Sequence, residues 1–319
     1  MEMKKITITI GCYNEEANIE ALINRIGEIF NTDLPNYRYE IICIDNDSKD
    51  NTRQILRDIC AKNPNVKAIL NVKNFGAYKS AVYAMLQSTG DCVIKMCADF
   101  QDPPEMIVDF VRGWEEGHKL VLGIKNASEE NKIMSFVRKI YYKIINKITE
   151  INHIDNFMGF GLYDKDFIEI LRKVDDPTPY LRGMVAEFGY KYKPVYYDKQ
   201  SRRGGKSSYN FYRYYDYAML GITAYSKIPL RVATFLGIII SIISFLIGCF
   251  YLVMKLIHWD SFAMGMAPVT IGVFFLGALQ LIFIGLIGEY ILAINARSLK
   301  RPLVVEEERL NFDEPTGEQ

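Results

Sequence analysis

Two uncharged runs constrain this chain more than any other feature. Val232 to Met254 carries no charged residue, and neither does Phe262 to Gly288, with apolar residues continuing past Glu289 to Ile294. At 1.5 Å per residue the first run is roughly 35 Å long as a helix, enough for a bilayer core. The spacer Lys255-Leu256-Ile257-His258-Trp259-Asp260 is short, so the two runs are expected to form a hairpin. The alternative is a helical pair buried in a soluble core; runs this long and this free of charge argue against it. Lys227 and Arg231 precede the first run, Arg297, Lys300 and Arg301 follow the second, and the spacer carries no Lys or Arg besides Lys255. The positive-inside rule then places both flanks and the large N-terminal region in the cytosol.

The remaining residues suffice for a domain of about 230 residues. Lys and Arg (38) balance Asp and Glu (38), so no general affinity for nucleic acid is expected. The cysteines at 12, 43, 60, 92, 97 and 249 form no CxxC pair and read as reduced thiols, mostly buried. No N-terminal leader is expected, because Met1 to Lys5 runs straight into a strand-like Ile6–Ile10.

Strand-like and helix-like segments alternate through the first half. Strands are expected at 6–10, 40–44, 66–70, 93–97 and 120–123, and helices at 15–30, 51–60, 77–87 and 105–116. Repeated β-α units predict a parallel sheet with helices on both faces, a nucleotide-binding architecture. Residues 133–150 carry a full apolar helical stripe with Arg138, Lys139, Lys143 and Lys147 on the other faces. That helix either packs on the sheet with a solvated basic face or lies on anionic lipid. Residues 209–225 form an aromatic-rich approach to the first run, and such side chains favour the headgroup zone. The tail from Glu306 to Gln319 is acidic and is expected to be poorly ordered.

Three strand ends carry polar clusters. The first strand ends in Gly11-Cys12-Tyr13-Asn14-Glu15-Glu16, the second in Asp45-Asn46-Asp47-Ser48-Lys49-Asp50, and the fourth in Ala98-Asp99-Phe100-Gln101-Asp102-Pro103-Pro104. Open α/β sheets bind ligands outside the carboxyl ends of their strands. Carboxylates there suit a divalent cation on a nucleotide diphosphate, since hard cations take oxygen ligands shared with substrate phosphates. Each cluster alone also reads as local structure. Asp102 could cap a helix with Pro103 at its first position, Asp47 or Ser48 could be a cap, and Asn14 a turn residue. Three in register point to a nucleotide site.

Tyr-Asn-Glu after the first strand, the Asp-rich turn after the second and Ala-Asp-Phe-Gln-Asp-Pro-Pro after the fourth resemble family 2 glycosyltransferases of GT-A fold. The C-terminal hairpin narrows the resemblance to the polyisoprenyl-phosphate glycosyltransferases, the branch that includes dolichol-phosphate mannosyltransferase and its bacterial relatives. The resemblance covers nearly the whole chain. It implies an α/β fold: a GT-A, Rossmann-like catalytic domain at 1–208, an interfacial segment at 209–231, membrane helices at 232–255 and 262–294, and a cytosolic tail at 295–319. A bacterial inner membrane is the implied location. Tyr13, Asn14, Glu15, Asp45, Asp47 and Ser48 would bind a nucleotide sugar, with UDP favoured over GDP. Asp99 and Gln101 would hold Mg²⁺ or Mn²⁺ and the diphosphate, with Asp99 and Asp102 in the catalytic centre. Arg182, Arg202, Arg203, Lys206 and Ser207 match basic segments that receive a lipid phosphate. Cations flanking a Gly-Gly turn beside a membrane helix could clamp an anionic headgroup, or contact lipid in general.

The chain departs from the family pattern in four places. Gly11-Cys12 replaces a motif with Pro, Asp45-Asn46-Asp47-Ser48 replaces Asp-Asp-Gly-Ser, Cys97 replaces an Asp, and Gly159-Phe160-Gly161 stands where relatives carry Asp-Phe-Arg. No general base therefore maps, and Asp155 is the nearest candidate. A phosphate monoester acceptor is largely dianionic at neutral pH and needs none. The expected reaction is an inverting transfer of one sugar from a nucleotide-diphosphate sugar to a polyprenyl phosphate such as undecaprenyl phosphate. A nucleotidyltransferase is the second reading, disfavoured because Gly11–Glu16 is no Lys-containing phosphate loop. A degenerate transferase acting as a membrane scaffold is the third. A processive synthase is disfavoured because two spans leave little room for a channel. A homo-oligomer is possible through Gly272, Gly277, Gly285 and Gly288, which permit close helix packing.

Overall fold

The structure is a computed structural model, and it describes residues 3–126, 149, 151–174, 176–198, 219, 221–257, 266–299 and 301–312. The expected helix at 133–150 and most of the aromatic segment at 209–225 lie outside these residues. The described residues fall into two compact units, one within 3–126, 151–198 and 299–312, the other at 149 and within 219–298.

The first unit alternates β1 (Lys5–Cys12), α1 (Ile19–Thr32), β2 (Arg38–Asp45), α2 (Thr52–Lys62), β3 (Val66–Asn71), α3 (Ala77–Leu86), β4 (Cys92–Cys97), α4 (Met106–Glu115) and β5 (Leu120–Lys125). These match the expected segments within a few residues, because each apolar period has a single face to bury. Ile19, Leu22, Ile23, Ile26 and Phe30 of α1 are all buried. The chain continues with β6 (Phe157–Asp164), α5 (Lys165–Lys173), α6 (Leu181–Glu187) and β7 (Tyr192–Tyr197). The strands form one sheet in the order β7-β5-β6-β4-β1-β2-β3-β8. β8 is Glu306–Leu310.

The sheet is mixed rather than parallel throughout. β6 inserts antiparallel between β4 and β5, and β8 pairs antiparallel with the outer edge of β3. β6 accommodates this close approach through glycine: a Cβ on Gly161 would stand 2.6 Å from the Val121 carbonyl oxygen. Two apolar layers cover the faces. One joins α1, α2 and α4 to Ile6, Ile8 and Ile10, and the other joins α3, α5 and α6 to Val93, Leu122 and Tyr163.

The tail is ordered from Glu306 to Leu310, contrary to the expectation from its acidity. Its carboxylates are matched by cations and hydroxyls of the first unit, as described below, and residues 313–319 lie outside the described range.

The second unit contains α7 (Ile228–Ile257) and α8 (Met266–Ser298). Both are long and apolar enough to cross a membrane. Apolar side chains along them are exposed, including Phe235, Phe245, Leu281 and Ile291. The Tyr290 hydroxyl donates to the Ser226 carbonyl oxygen at 2.7 Å.

The amino ends of the central strands are tied by Glu40. Its side chain is 2 % exposed and forms ion pairs with Lys5 of β1 (2.8 Å) and Lys67 of β3 (2.9 Å). Thr7 Oγ1 donates to it at 2.7 Å, and Thr89 donates through both its amide and its hydroxyl at 2.9 Å. Burial alone would raise the Glu40 carboxyl, but the bonds from Lys5, Thr7, Thr89 and Lys67 outweigh burial and lower it from 4.5 to about 2. A depressed carboxylate stabilises the fold above its unfolded pKa and loses that contribution as pH falls through the folded one. Glu40→Gln should cost about 3 kcal/mol of stability at pH 7. Melting temperatures between pH 7 and pH 2 test this. The native protein should lose its advantage over the variant as pH falls from 4.5 toward about 2.

Candidate active site

Parallel pairing brings three strand ends level. Cys12 of β1 stands opposite Asp45 of β2, and Gly11 stands opposite Cys97 of β4. Each following turn contains one non-glycine residue with positive φ: Asn14 (56°), Asp47 (64°) and Phe100 (59°). Asn and Asp tolerate this region through their short polar side chains. Asp47 stands where the resembled pattern has Gly, which explains why that position demands tolerance. Phe100 does not tolerate the region readily, and the strain costs roughly 1–2 kcal/mol. Its ring is buried in the core, which offsets that strain.

The first two turns are stitched together. The Asn14 amide donates to Ser48 Oγ (2.8 Å) and the Lys49 amide donates to Asn14 Oδ1 (2.8 Å). The Glu15 amide donates to Thr52 Oγ1 at 2.9 Å. The Glu15 carboxylate accepts from Asn18 Nδ2 at 2.8 Å, while Tyr13 is exposed. Asp45 is fully buried and accepts from the hydroxyl and amide of Ser48, with Arg53 Nε at 3.5 Å. Burial raises its carboxyl above the ordinary value, and the Ser48 bonds and the Arg53 charge oppose that rise. Asn46 Oδ1 accepts from Ser80 Oγ (2.7 Å), Asn71 Nδ2 (3.1 Å) and the Phe75 amide (3.2 Å). An amide thus replaces the family's second carboxylate and fixes β2 to β3 and α3. Asp47 forms an ion pair with Lys49 at 2.7 Å.

The third turn is built differently. Asp102 does not cap a helix, because α4 starts only at Met106. Its carboxylate folds back instead, accepting from the Cys97 amide (3.0 Å) and the Tyr197 hydroxyl (3.2 Å). Burial raises its carboxyl, and the Lys95 charge and the Cys97 amide oppose this. Asp99 is nearly buried and accepts from the Gln101 amide at 3.2 Å. Cys97 is exposed at the strand end, as is Cys249 in the second unit; the other four cysteines are buried, and all six are free.

Lys95 is the residue that sequence reasoning passed over. It lies inside an apolar run, yet it shares a strand face with Cys97 two residues on. Gly159 of β6, with φ +94°, lies beside it: a Cβ there would make ordinary contact, 3.5 Å, with the Lys95 ammonium nitrogen. The glycine that stands where the resembled pattern has a carboxylate thus neighbours a cation. The only signal in the sequence was a lone charge in a buried strand.

Arg182 of α6 lies against the start of β6. Its guanidinium donates to the Phe157 carbonyl oxygen at 3.3 Å and lies 5.8 Å from the Tyr180 ring centroid. His153 packs edge-on to the same ring, and burial with the Arg182 charge lowers it to about 4, so it is neutral at pH 7. Asp155 is exposed before β6, and no hydrogen bond ties it to the three strand ends among the described residues. Arg202, Arg203, Lys206 and Ser207 lie outside the described residues.

A divalent cation would find limited protein ligation here. Both Asp102 oxygens accept hydrogen bonds, and Asp99 Oδ1 accepts from the Gln101 backbone amide. Among the described residues no group of three His, Cys, Asp or Glu could hold an ion. One carboxylate and one amide oxygen still fit a hard cation that completes its shell with substrate phosphates and water.

Residues 7–172 match the family model described as glycosyl transferase family 2. A Synechocystis glycosyltransferase named as uncharacterized is 34% identical over 300 residues, covering 94% of this chain and 93% of that protein. The prophage bactoprenol glucosyl transferase homolog of Escherichia coli K12 is 28% identical, covering 93% of this chain and 97% of that protein. The bactoprenol glucosyl transferase of Shigella phage SfV is 29% identical, covering 93% and 96%. These matches extend through both apolar helices.

Ser48 is the joint between the first two turns. Ser48→Ala should leave the Asn14 amide without its acceptor and cost about 1–2 kcal/mol. Hydrogen exchange reads this directly: the Asn14 amide should exchange about tenfold faster while β1 and β2 amides stay protected.

Proposed function

This chain belongs to glycosyl transferase family 2 and is a glycosyltransferase of GT-A fold, and we propose that it moves one sugar from a nucleotide-diphosphate donor to a membrane polyprenyl phosphate. The observation that carries this reading is the level set of strand ends, with buried Asp45 and Asp99 at one edge, in a chain whose relatives named for bactoprenol glucosyl transfer match it through both apolar helices. Asp45, with Tyr13, Asn14, Glu15, Asp47 and Ser48, forms the nucleotide subsite, and UDP is the favoured nucleotide. Asp99 and Gln101 would hold the Mg²⁺ or Mn²⁺ that the diphosphate carries, and that cation would supply charge stabilisation to the leaving group. Lys95 adds a fixed positive charge beside the same turn.

The acceptor phosphate supplies its own nucleophile. Its second pKa is near 6, so an oxyanion is available at neutral pH. That oxygen forms the new bond to the anomeric carbon while the bond to the donor diphosphate breaks, and the electron pair leaves with the diphosphate. One displacement inverts the anomeric centre. The protein then has to position the reactants and stabilise charge rather than remove a proton. This makes Asp155 dispensable as a base. Arg182 beside Tyr180 supplies a cation for the acceptor phosphate, and Arg202, Arg203, Lys206 and Ser207 extend that role. We place the first unit and both flanks of the hairpin on the cytosolic side of a bacterial inner membrane, because Lys227, Arg231, Arg297, Lys300 and Arg301 all flank the spans there. A second copy of the chain could approach α8 at Gly272, Gly277, Gly285 and Gly288, where a Cβ would meet nothing within 4 Å.

Purified protein, undecaprenyl phosphate and a panel of nucleotide sugars test the reading. A glycolipid should form with at least one donor. Asp99→Ala should lower its rate by about 100-fold or more. Cys97→Asp should keep activity or alter metal preference. Absence of product with every donor, together with absence of nucleotide binding, would overturn the proposal.

A further inference from the structure

The acidic strand β8 reaches the nucleotide subsite through one side chain. Glu307 Oε2 accepts from Arg53 Nη2 at 2.7 Å, and Arg53 Nε stands 3.5 Å from Asp45 Oδ2. The same Nη2 lies 3.4 Å from the Asn71 carbonyl oxygen. Arg53 is therefore bracketed by two carboxylates, one from β2 and one from a strand that follows both apolar helices in the chain.

The geometry of β8 is arranged for this contact. Ala68 pairs with Leu310, Ile69 with Arg309 and Leu70 with Glu308, but Asn71 pairs with Glu306. Glu307 is the extra residue, a β-bulge. Successive residues of a regular strand face opposite sides. Here Glu307 and Glu308 both face α2, where they meet Arg53 and Arg57, one helical turn apart. Glu306 and Arg309 face the other side, toward Tyr83 and Gln87 of the α3 end. Bulges re-aim side chains and occur beside active sites. Without this one, Glu307 would alternate away from Arg53 or Glu308 away from Arg57.

We propose that Arg53 is a positioning residue of the nucleotide subsite, held against Asp45 by Glu307 of the C-terminal strand. The proposal rests on the assignment of Asp45 to the nucleotide. The 3.5 Å separation is too long for a hydrogen bond, so Asp45 does not fix the guanidinium by itself. The short bond to Glu307 does. A fixed guanidinium opposes the rise that burial imposes on the Asp45 carboxyl and holds a positive charge beside the oxygen that would accept from a ribose hydroxyl or a base N–H. Arg53 does not touch the reacting atoms. Its loss should therefore act on donor binding and leave the displacement step nearly unchanged.

β8 supplies its own control. Glu308 forms an equivalent ion pair with Arg57, at 2.7 Å, on the same strand and the same face. Glu307→Gln and Glu308→Gln remove the same charge, but only the first touches the Arg53–Asp45 link. The full chain in detergent is assayed for nucleoside diphosphate affinity by calorimetry, and for KM and kcat with the active nucleotide sugar. Glu307→Gln should weaken nucleoside diphosphate binding and raise the donor KM about fivefold, with kcat within twofold. Glu308→Gln should stay within twofold of the native protein in all three. Equal effects of the two variants would reduce Glu307 to docking the tail and overturn the inference. So would a native KM and affinity in Glu307→Gln. If the native chain itself neither binds nucleotide nor forms product, the underlying reading falls instead.

Discussion

Matched register between three parallel strands is the constraint on which the rest of the molecule depends. β1 lies between β2 and β4, and the pairing of Cys12 with Asp45 and of Gly11 with Cys97 leaves all three chains ending at one level. A shift of one residue would turn every side chain of a strand to the opposite face and remove Asp45 from the crevice. The register is secured at the other end of the same strands. The buried Glu40 carboxylate joins Lys5, Thr7, Lys67 and Thr89 in one network. Polar burial occurs at both ends of these strands, Glu40 at the amino ends and Asp45, Asn46, Asp99 and Asp102 at the carboxyl ends. Each turn then stores a left-handed residue, and strain of that kind persists only where surroundings over-determine it. Phe100 meets that condition through its buried ring.

The first 125 residues were legible because each segment states one period and one face. Ile19, Leu22, Ile23, Ile26 and Phe30 admit a single packing, and the strands between helices are short apolar runs. The later elements lack this redundancy. β6 begins Phe157-Met158-Gly159-Phe160-Gly161, and its glycines lower strand propensity while serving close contact with β5. β8 is Glu-Glu-Glu-Arg-Leu, a composition that reads as a solvated tail. Its partners Arg53, Arg57 and Tyr83 lie more than two hundred residues earlier, and no local pattern announces them.

The strand-end residues were legible for a similar reason. Asp45, Ser48, Asp99 and Asp102 follow apolar strands directly, so their position is given by topology once the strands are known. Their partners were not. Asp102 turned inward to Cys97 and Tyr197 rather than capping a helix, because α4 starts later than Pro103 suggested. Lys95 escaped notice because a single charge does not break an apolar run. Its neighbour Gly159 arrives from a strand with no helical or alternating signature.

These departures from the family pattern redistribute charge. Cys97 removes a carboxylate from the third turn; in the second turn Asn46 removes one and Asp47 adds one; in β6 Gly159 removes a carboxylate and Gly161 a cation. Cys97 is the one change that leaves its strand end less negative. A diphosphate brings its own negative charge, and in a low-dielectric crevice each unpaired carboxylate opposes it. In the proposed site, how firmly the remaining anions are held by cations and donors sets how strongly they oppose a diphosphate. Asp45 is the anion with the most elaborate support: Ser48 from its own turn, Arg53 from α2, and Glu307 from the far end of the chain. The bulge in β8 turns Glu307 toward Arg53 and so ties the carboxylate at the second strand end to the far end of the chain.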